Sequence, residues 1–445
     1  MNDASTLAAR LLDILDVPSA QRGDVAFATG SAPFADQRYD VPGFAAACIA
    51  TAHMLGGGGQ PVNVDVQEAT EAFASERYLS IDGRPPQSLW APLSADYQDR
   101  NGRWLRIHAN FPNHAHAAAY ALGVEQNPED FRGAVLSGDA FDIEERIVVA
   151  SGAAATLRTK DEWRSHSQQK HLELQPLIAF KKLTDAPPIT RPRRLRVLDL
   201  TRVIAGPVAG RVLALYGADV LAVTAPSLPQ IDALVVETGF GKRSTFLDLR
   251  DNEDAATFHR LVTTSDVLIE SYRPGALERL GFGERACAVL NPNLVYVSIS
   301  AYGDGGTWGQ RRGFDSLVQM VTGIACGANA FEPPTPLPSQ ALDHGTGWLA
   351  AAAALAAVER TRRLGGAWYV TLSLARTADF LLSTGPRNAS QNDSKTMGHH
   401  ETAMSSMASA FGSLSYLPPP GQIRKMRLEY PLAPPALGSD SPVWR

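Results

Sequence analysis

The stretch LRVLDLTRVIAGPVAGRVLALYGADVLAV occupies residues 195–223 and carries the pattern on which the fold prediction depends. Its first six residues form an apolar run of strand length, Ile204–Tyr216 has the composition of a loop and a helix, and Asp219–Val223 is a second apolar run. Short apolar runs separated by helical stretches are typical of parallel βαβ units with right-handed crossovers. The stretch therefore predicts the start of a parallel sheet covered by helices.

The same alternation continues towards the C-terminus, where three more apolar runs of strand length follow: Ser244–Leu249, Asp266–Glu270 and Leu294–Ser300. We therefore predict an α/β fold class, with a doubly wound, Rossmann-like parallel sheet forming a large domain over residues 193–383. Residues 384–445 are predicted to be a C-terminal loop and extended segment, within which the polar stretch 384–409 is interpreted as a mobile loop.

Residues 1–190 are built differently and predict a smaller α+β domain. The expected elements are a helix near Gly43–Leu55, a strand at Val62–Val66, a hairpin at Asp96–Ile107 and a mostly helical stretch at Phe131–Glu173. The Pro- and Arg-rich residues 185–194 are interpreted as the linker between the two halves of the chain.

A weak internal repeat connects the two halves. Asp40 and Asp343 each precede an Ala-rich helix, which is followed by a glycine turn and a strand. Two explanations remain open: any helix–glycine–strand unit has this order, or an ancestral chain was duplicated or permuted. The turn Gly56–Gly59 is interpreted as structural because it lies between a helix and a strand.

The composition excludes several classes of protein. The net charge of −5 gives no reason to expect nucleic acid or an anionic membrane as a partner. Three widely spaced cysteines favour a reducing cytoplasm over a disulfide framework. The N-terminal sequence does not have the pattern of a signal peptide. The longest apolar run, Trp348–Val358, is too short to span a bilayer and predicts a buried helix.

Most common catalytic motifs are absent from the sequence. It contains no GxxxxGK[ST] phosphate loop and no GxGxxG, HExxH or GxSxG pattern. His108, His114 and His116 lie close together, but no cysteine or carboxylate accompanies them at metal-ligand spacing. We interpret these histidines as part of a surface loop and predict no metal site.

A set of short blocks in the second half resembles the family III CoA-transferases, which include formyl-CoA and carnitine CoA-transferases and the α-methylacyl-CoA racemases. The blocks occur in the family's order: Val197–Pro207, Tyr216–Val220, Gly241–Ser244, Leu247–Leu249, Asp266–Gly275, Leu280–Gly283, Asn291-Pro292, Ser298–Gly303, Gly313–Asp315 and Asp343–Gly347. The first half is similar to the family's small domain in Gly59-Gln60, Val64–Val66 and Gly102–Trp104. In the family the small domain usually follows the nucleotide-binding part, whereas here it precedes it.

The resemblance implies that Asp343 is the nucleophile of a CoA-transferase that works through an aspartyl-CoA intermediate. Asp343 is expected near a helix N-terminus, where the helix dipole favours an ionised carboxylate. The structural alternative is that Asp343 acts only as an N-cap. Asp40 is interpreted as a remnant counterpart without a catalytic role.

The resemblance also implies the ligands and the assembly. Coenzyme A is expected as a substrate with no metal, and its partners are an acyl-CoA and a small carboxylic acid. The family forms homodimers, and a cytoplasmic homodimer is expected. The residues expected to bind coenzyme A are Arg202, Ala205, Gly206, Lys242, Arg243, Tyr272 and Arg273. We place Lys242, Arg243 and Arg273 in loops facing the ligand crevice; alternatively, they are solvated or structural residues.

Three departures from the family pattern keep alternatives open. Residues 223–226 lack the acidic and basic residues that relatives have after the second strand, and Thr238–Phe240 replaces the usual Asn-Arg pair. A catalytically degenerate CoA-binding protein is therefore one alternative. An α-methylacyl-CoA racemase is another, but those enzymes have a histidine where this chain has Phe314. A phenyl ring cannot carry a proton.

Overall fold

The elements of the first half are short and mixed. The computed structural model describes residues 3–28, 38–86, 88–190, 194–385 and 402–445. In the first half it forms α1 (Ala4–Ile14), β1 (Val25–Ala28), α2 (Val41–Gly56), β2 (Val62–Asp65), α3 (Val66–Ala72), β3 (Ser80–Ile81), β4 (Ala95–Gln98), β5 (Trp104–Ile107), α4 (Pro112–Leu122), α5 (Pro128–Ser137), α6 (Ala140–Val149), β6 (Ala154–Thr156), α7 (Lys160–Ser165), α8 (Ser167–Glu173) and β7 (Ile178–Lys182).

The second half alternates strands and helices, as predicted. Its elements are β8 (Arg196–Leu200), α9 (Ala205–Leu215), β9 (Asp219–Thr224), α10 (Asp232–Thr238), β10 (Arg243–Phe246), α11 (Asn252–Thr264), β11 (Val267–Glu270), α12 (Ala276–Arg279), α13 (Glu284–Leu290), β12 (Val295–Ser300), α14 (Asp315–Val321), α15 (Ala341–Leu364), β13 (Trp368–Ser373) and α16 (Leu374–Leu382). The C-terminal segment adds β14 (Ser405–Ser409), β15 (Gly412–Tyr416) and β16 (Gln422–Ile423).

A seven-stranded sheet, called the large sheet below, organises the second half. Its strand order is β10-β9-β8-β11-β12-β13-β7, and every pair is parallel except β13 with β7. Successive residues of its strands enter different cores: Val197 and Val267 join the cluster around α2, α9 and α15, while Leu198 and Leu268 join the cluster that contains Phe258 of α11. Both faces of the sheet are therefore buried, which explains why its strands are continuous apolar runs.

Three strand pairings cross the predicted boundary near residue 190. β7, from the first half, occupies the outermost position of the large sheet, where it lies antiparallel to β13. In the other direction, β16 pairs with β2 and β15 pairs with β3. The two halves therefore share backbone hydrogen bonds, and the domain division remains a prediction.

Three small-residue helices, α2, α9 and α15, pack together at the centre of the molecule. Glycines permit their close approach: a Cβ at Gly347 would lie 2.5 Å from the carbonyl oxygen of Ala205, and a Cβ at Gly345 would lie 2.5 Å from the ring of Phe44. The predicted buried apolar run is the middle of α15, whose alanines are all buried. This packing fixes the N-terminus of α15 against both halves.

One prediction about local structure is confirmed and another is wrong in part. The stretch 131–173 is mostly helical, as predicted, with α5, α6, α7 and α8, and it contains one short strand, β6, which pairs with β5. Ala154 and Ala155 have no strand preference of their own, and the pairing overrides their composition. Within the predicted mobile loop, residues 405–409 form β14 of a hairpin with β15, while residues 386–401 lie outside the described residues. No helix in the described ranges is long and apolar enough to cross a membrane.

Candidate active site

Asp343 lies in the first turn of α15, where its backbone is held by a second aspartate. The N–H of Asp343 donates to Oδ2 of Asp315 over 2.9 Å, and the amide of Gln319 donates to Oδ1 of the same carboxylate. Gln340 is the N-cap of α15, and no side chain caps it. The N-cap alternative for Asp343 is therefore wrong, because its carboxylate lies inside the turn and is not used as a cap.

Burial and like charges determine the protonation of this site. Asp343 is 7% exposed and Asp315 is fully buried. Burial, followed by the charges of Asp315 and Glu76, raises the pKa of Asp343 well above its usual range. Burial also raises the pKa of Asp315 to about 6. The helix dipole favours an ionised Asp343, as expected, but burial and the two neighbouring carboxylates act in the opposite direction and raise its pKa.

His344, the next residue along the helix, is used for packing between the halves. Its Nε2 lies 3.1 Å from Oε2 of Glu76, and its ring stacks on Phe73 with centroids 5.7 Å apart. Burial acts to raise the pKa of Glu76, but the hydrogen bond and charge of His344 lower it on balance. The first half thus supplies a carboxylate to the surroundings of Asp343. We call Asp315, Asp343 and Glu76 the carboxylate cluster.

Arg202, Ala205 and Gly206 follow the carboxyl end of β8, as predicted. The guanidinium of Arg202 lies 4.7 Å above the ring of Phe111 and donates to the carbonyl of Pro229. Ala205 and Gly206 are buried in the first turn of α9. A Cβ at Gly206 would lie 2.4 Å from the side chain of Thr201, so local packing alone explains this glycine.

Lys242 and Arg243 flank the third strand of the second half, β10, as predicted, and lie at its amino end. Lys242 is in the preceding loop, and Arg243 is the first residue of the strand and not a loop residue. Both are buried: Lys242 Nζ lies 2.7 Å from Asp199, and Arg243 Nη2 lies 2.9 Å from Asp219. A buried cation requires such a partner, because desolvation without one is costly.

Tyr272 and Arg273 lie at the carboxyl end of β11. Arg273 is exposed, and burial raises the pKa of Tyr272 to about 12. Tyr272 lines an apolar cavity of about 220 Å³ together with Leu200, Val223, Leu228, Leu247, Arg250 and Leu277. A second cavity, of about 70 Å³, lies beside it and is lined by Arg202, Lys242 and the C-terminal residues Pro435 and Leu437. Residues of the C-terminal segment thus form part of the wall of this second cavity.

The interpretation of His108 and His114 as parts of a surface loop is wrong. They are 4% and 6% exposed, whereas His116 is exposed. His108 stacks on Phe314 with centroids 3.6 Å apart, and Phe314 directly precedes Asp315. The rings of Phe111 and Phe314 pack against both imidazoles and bury them. The spacing of the three histidines in the sequence gave no sign of this burial. In the described ranges, no group of three or more His, Cys, Asp or Glu could hold a metal ion.

Two residues of the carboxylate cluster were not predicted. Asp315 was part of a quoted sequence block but had no assigned role, and only its hydrogen bond to Asp343 reveals one. Glu76 had no signal in the sequence, because it lies 267 positions before Asp343 and is held near it by the contact of its carboxylate with His344. Residues brought together over such a separation are found from structure.

Comparison with known proteins identifies relatives of the second half. The model of CoA-transferase family III matches residues 193–411. A probable fatty acyl-CoA transferase of Mycobacterium tuberculosis is 35% identical over 193 residues, which are 40% of this chain and 49% of that protein. An acyl-CoA transferase of Gibberella moniliformis is 28% identical over 363 residues, which are 70% of this chain and 64% of that protein.

Among solved structures, a hypothetical protein from Mycobacterium tuberculosis aligns with a TM-score of 0.40 and 36% identity, covering 43% of this chain and 57% of that one. The chain spans about half the length of several curated relatives that it matches, and roughly a third to two thirds of others.

Proposed function

Residues 193–411 belong to CoA-transferase family III, and from this premise we propose that the chain moves coenzyme A between an acyl-CoA and a carboxylic acid. The observation that carries the proposal is the position of Asp343, in the first turn of α15 among the carboxylate cluster. A buried carboxylate with few hydrogen-bond donors around it is a stronger nucleophile than a solvated one, once it is ionised.

The proposed reaction begins with ionised Asp343. Its carboxylate oxygen attacks the thioester carbonyl of the donor, the C–S bond breaks, and CoA thiolate leaves behind a mixed anhydride. The thiolate then attacks the aspartyl carbonyl, which releases the donor acid as carboxylate and leaves an aspartyl-CoA thioester. The acceptor carboxylate attacks that thioester, and the returning thiolate cleaves the new anhydride to give the acceptor's CoA thioester and free Asp343.

The charges around Asp343 affect the energy of these steps in opposite directions. The raised pKa reduces the fraction of ionised Asp343 at neutral pH. Acylation, however, makes the aspartyl group neutral and removes its repulsion with Asp315 and Glu76. Because the repulsion is present only before the attack, it destabilises the ground state and favours the acyl-enzyme.

We place the nucleotide of coenzyme A at the carboxyl ends of β8, β9 and β11, where the larger cavity lies. Arg202, Ala205, Gly206, Tyr272 and Arg273 are the proposed contacts. Lys242 and Arg243 are also proposed for this site. Both are buried in ion pairs, so their proposed role is indirect: Lys242 positions the carboxylate of Asp199, and Arg243 positions that of Asp219. We also propose that the large domain is doubly wound and Rossmann-like, since such sheets bind ligands at the carboxyl ends of their strands.

The proposed assembly is a cytoplasmic homodimer that binds neither nucleic acid nor membrane. Cys48, Cys287 and Cys326 are all free and buried, as expected for a reducing compartment. Light scattering at micromolar concentration tests the assembly, and a stable monomer would contradict it.

The racemase alternative has less support from the site. Racemisation needs an acid and a base on opposite faces of the α-carbon. The imidazole nearest to Phe314 is His108, and burial lowers its pKa to about 3, which disfavours the imidazolium form that would serve as the acid. Proton exchange of a 2-methylacyl-CoA in deuterated water, followed by NMR, separates the two reactions. Rapid exchange that is lost in Asp343→Asn would favour the racemase.

The proposal is tested by trapping the acyl-enzyme. The protein is incubated with a panel of acyl-CoA esters and hydroxylamine, and mass spectrometry locates the hydroxamate. We expect it on Asp343 and expect no adduct in Asp343→Asn. An adduct on another residue excludes Asp343 as the nucleophile. Calorimetric binding of CoA without transfer to any acid of a broad panel would support a CoA-binding protein without activity.

A further inference from the structure

The loop between β12 and α14, residues 301–314, contacts the first half of the chain and is called the docked loop below. The buried side chain of Gln168, near the start of α8, holds its backbone. Nε2 of Gln168 donates to the carbonyl oxygens of Tyr302 over 2.7 Å and of Gly305 over 2.9 Å, and Oε1 accepts from the N–H of Trp308 over 2.8 Å. One side chain of the first half thus makes three hydrogen bonds to the backbone of the docked loop.

Glycines of the docked loop let it approach α8 closely. Gly306 has a φ of +77°, and a Cβ at this residue would lie 2.5 Å from Oε1 of Gln168. A Cβ at Gly305 would lie 2.9 Å from Nε2 of His171. A larger residue at either position would therefore move the loop away from Gln168.

Side chains of the docked loop join an ionic network of the first half. The ring of Trp308 contacts two guanidinium groups, and its centroid lies 5.1 Å from that of Arg158 and 4.0 Å from that of Arg311. Both arginines pair with Glu144 of α6: Nη2 of Arg158 lies 2.9 Å from Oε2, and Nη2 of Arg311 lies 2.5 Å from Oε1. These charges are buried, where ion pairs and cation–π contacts are stronger than at a wet surface.

Contacts with the first half continue to the end of the docked loop. Arg312 donates to the carbonyl oxygen of Ser151, and the ring of Phe314 stacks on that of His108 with centroids 3.6 Å apart. The residues of the docked loop with such contacts are Tyr302, Gly305, Trp308, Arg311, Arg312 and Phe314. The first half therefore holds the loop along its length and not only at one point.

The docked loop ends at Asp315, the first residue of α14, whose carboxylate accepts from the N–H of Asp343 over 2.9 Å. We propose that Gln168 is a positioning residue for Asp343: it fixes the docked loop, and the loop fixes the carboxylate of Asp315. A displacement of about 1 Å in a reacting group can cost about 100-fold in rate, so that such a support matters for the reaction. This inference rests on the proposed function, because only CoA transfer makes Asp343 a nucleophile.

The position of Asp315 also affects the ionisation of the nucleophile. Burial is the main cause that raises the pKa of Asp343, and the charges of Asp315 and of Glu76 raise it further. His344 of α15 also borders this site, and its partner is Glu76. If the docked loop is held loosely, the Asp315 carboxylate is no longer kept beside Asp343 and raises its pKa less. The rising limb of the pH–rate profile should then move to lower pH.

Steady-state kinetics of Gln168→Ala in the full chain tests the proposal, with a donor acyl-CoA and an acceptor acid found in the panels described above. We expect kcat to fall at least about tenfold with KM changed by less than about twofold, because the loop acts on the reacting group and not on substrate binding. The rising limb should move to lower pH.

Gln169→Ala is the matched control. Gln169 is the next residue of α8, is also buried, and donates to the carboxylate of Asp379, which lies outside the docked loop, over 3.2 and 3.1 Å. This variant should lose a similar amount of stability in urea denaturation but keep the kcat and the pH profile of the unaltered chain.

Two further variants separate a positioning role from a general loss of stability. Trp308→Leu removes the ring that Arg158 and Arg311 contact, and should lower kcat and move the rising limb in the same direction as Gln168→Ala. Adding Gln168→Ala to Asp315→Asn should move the limb no further, because the charge that the docked loop positions is already absent. Circular dichroism melting checks that each variant is folded.

The outcomes distinguish this proposal from the transferase proposal. If folded Gln168→Ala and Trp308→Leu both keep the kcat and the pH profile of the unaltered chain, Gln168 has no positioning role. The same follows if Gln168→Ala moves the limb equally far in the Asp315→Asn background. In both cases the transferase proposal stands, whereas an unaltered chain that transfers CoA to no acid contradicts both proposals.

Discussion

Asp40 and Asp343 precede or begin two helices of similar composition, yet their carboxylates have different surroundings. Asp40 is the N-cap of α2, and its Oδ1 accepts a hydrogen bond from the N–H of Gly43 over 3.0 Å. A Cβ at residue 43 would lie 2.2 Å from this carboxylate, so the glycine makes room for it. Asp343 lies three residues after its N-cap and caps nothing.

The difference shows how neighbours determine what a carboxylate can do. At α2 the helix N-terminus satisfies the Asp40 oxygen with a donor, which stabilises the helix and keeps the side chain occupied. At α15 the carboxylates of Asp315 and Glu76 surround Asp343, and their charges raise its pKa. A side chain whose ionised form is poorly stabilised is available for bond formation, whereas a cap is not.

The largest expected effect is that of Asp343→Asn on activity. Removing the nucleophile should lower the rate of CoA transfer at least about 10³-fold. Stability at pH 7 should not fall, because the asparagine keeps the backbone hydrogen bond to Asp315 and cannot ionise in the buried site. Activity assays and chemical denaturation measure the two quantities. If Asp343→Asn is active, Asp343 is not the nucleophile, and its difference from Asp40 has no role in catalysis.

Glu76→Gln tests whether the first half supports the site in the second. The change removes the charge that faces His344, and we expect a loss of about 1–3 kcal/mol in the free energy of unfolding. It should also lower the pKa of Asp343, because Glu76 is one of the groups that raise it. Urea denaturation and the pH dependence of the transfer rate measure these changes. Glu129→Gln, the same change at an exposed carboxylate of α5, is a control and should alter neither quantity.

Asp315→Asn should shift the pH dependence without abolishing activity. Transfer requires ionised Asp343, so the rate should rise with pH through the raised pKa of that group. Removing the Asp315 charge lowers this pKa and should move the rising limb to lower pH. Burial remains in the variant and is the larger cause, so the limb should stay above the ordinary range of aspartate. A limb that moves to higher pH would contradict the like-charge account.

The smallest expected effect belongs to Asp40→Ala. Loss of the cap should cost about 1 kcal/mol of stability, a typical value for an N-cap aspartate. The transfer rate per folded molecule should be unchanged, because Asp40 has no place in the proposed reaction. Asp40→Asn, which retains a capping oxygen, should recover most of the lost stability. A large loss of activity in Asp40→Ala would show that Asp40, in the first half of the chain, has a catalytic role.

Much of the large sheet could be predicted from the sequence because its strands are buried on both faces. The predicted run Leu195–Leu200 corresponds to β8 and Leu294–Ser300 to β12, each within one residue. The strand β7 was not predicted. Its residues, Ile178–Lys182, end in two exposed lysines, and its place in the sheet depends on pairing with β13, which is nearly 190 positions away. Local pattern contains no information about such a distant partner.

The candidate site was predictable only where sequence blocks carried it. Asp343 was identified by its resemblance to a family, and its position in the helix alone would have suggested a cap. The raised pKa of Asp343 was not predicted, because the helix dipole is a local effect whereas Glu76 and Asp315 come from distant parts of the chain. The burial of His108 and His114 depends likewise on Phe314, which lies about 200 residues later.

The strand β7 has a consequence for self-association. It covers the backbone of β13, whose residues WYVTLS are β-branched, aromatic and small, with no charge. A fragment containing only residues 194–445 would present that strand as a bare edge, a template on which further chains can add. The two charged residues Lys181 and Lys182 of β7 discourage such addition in the full chain. The first half therefore protects the second half from aggregation, because its strand β7, which belongs to the same chain, covers the edge of β13.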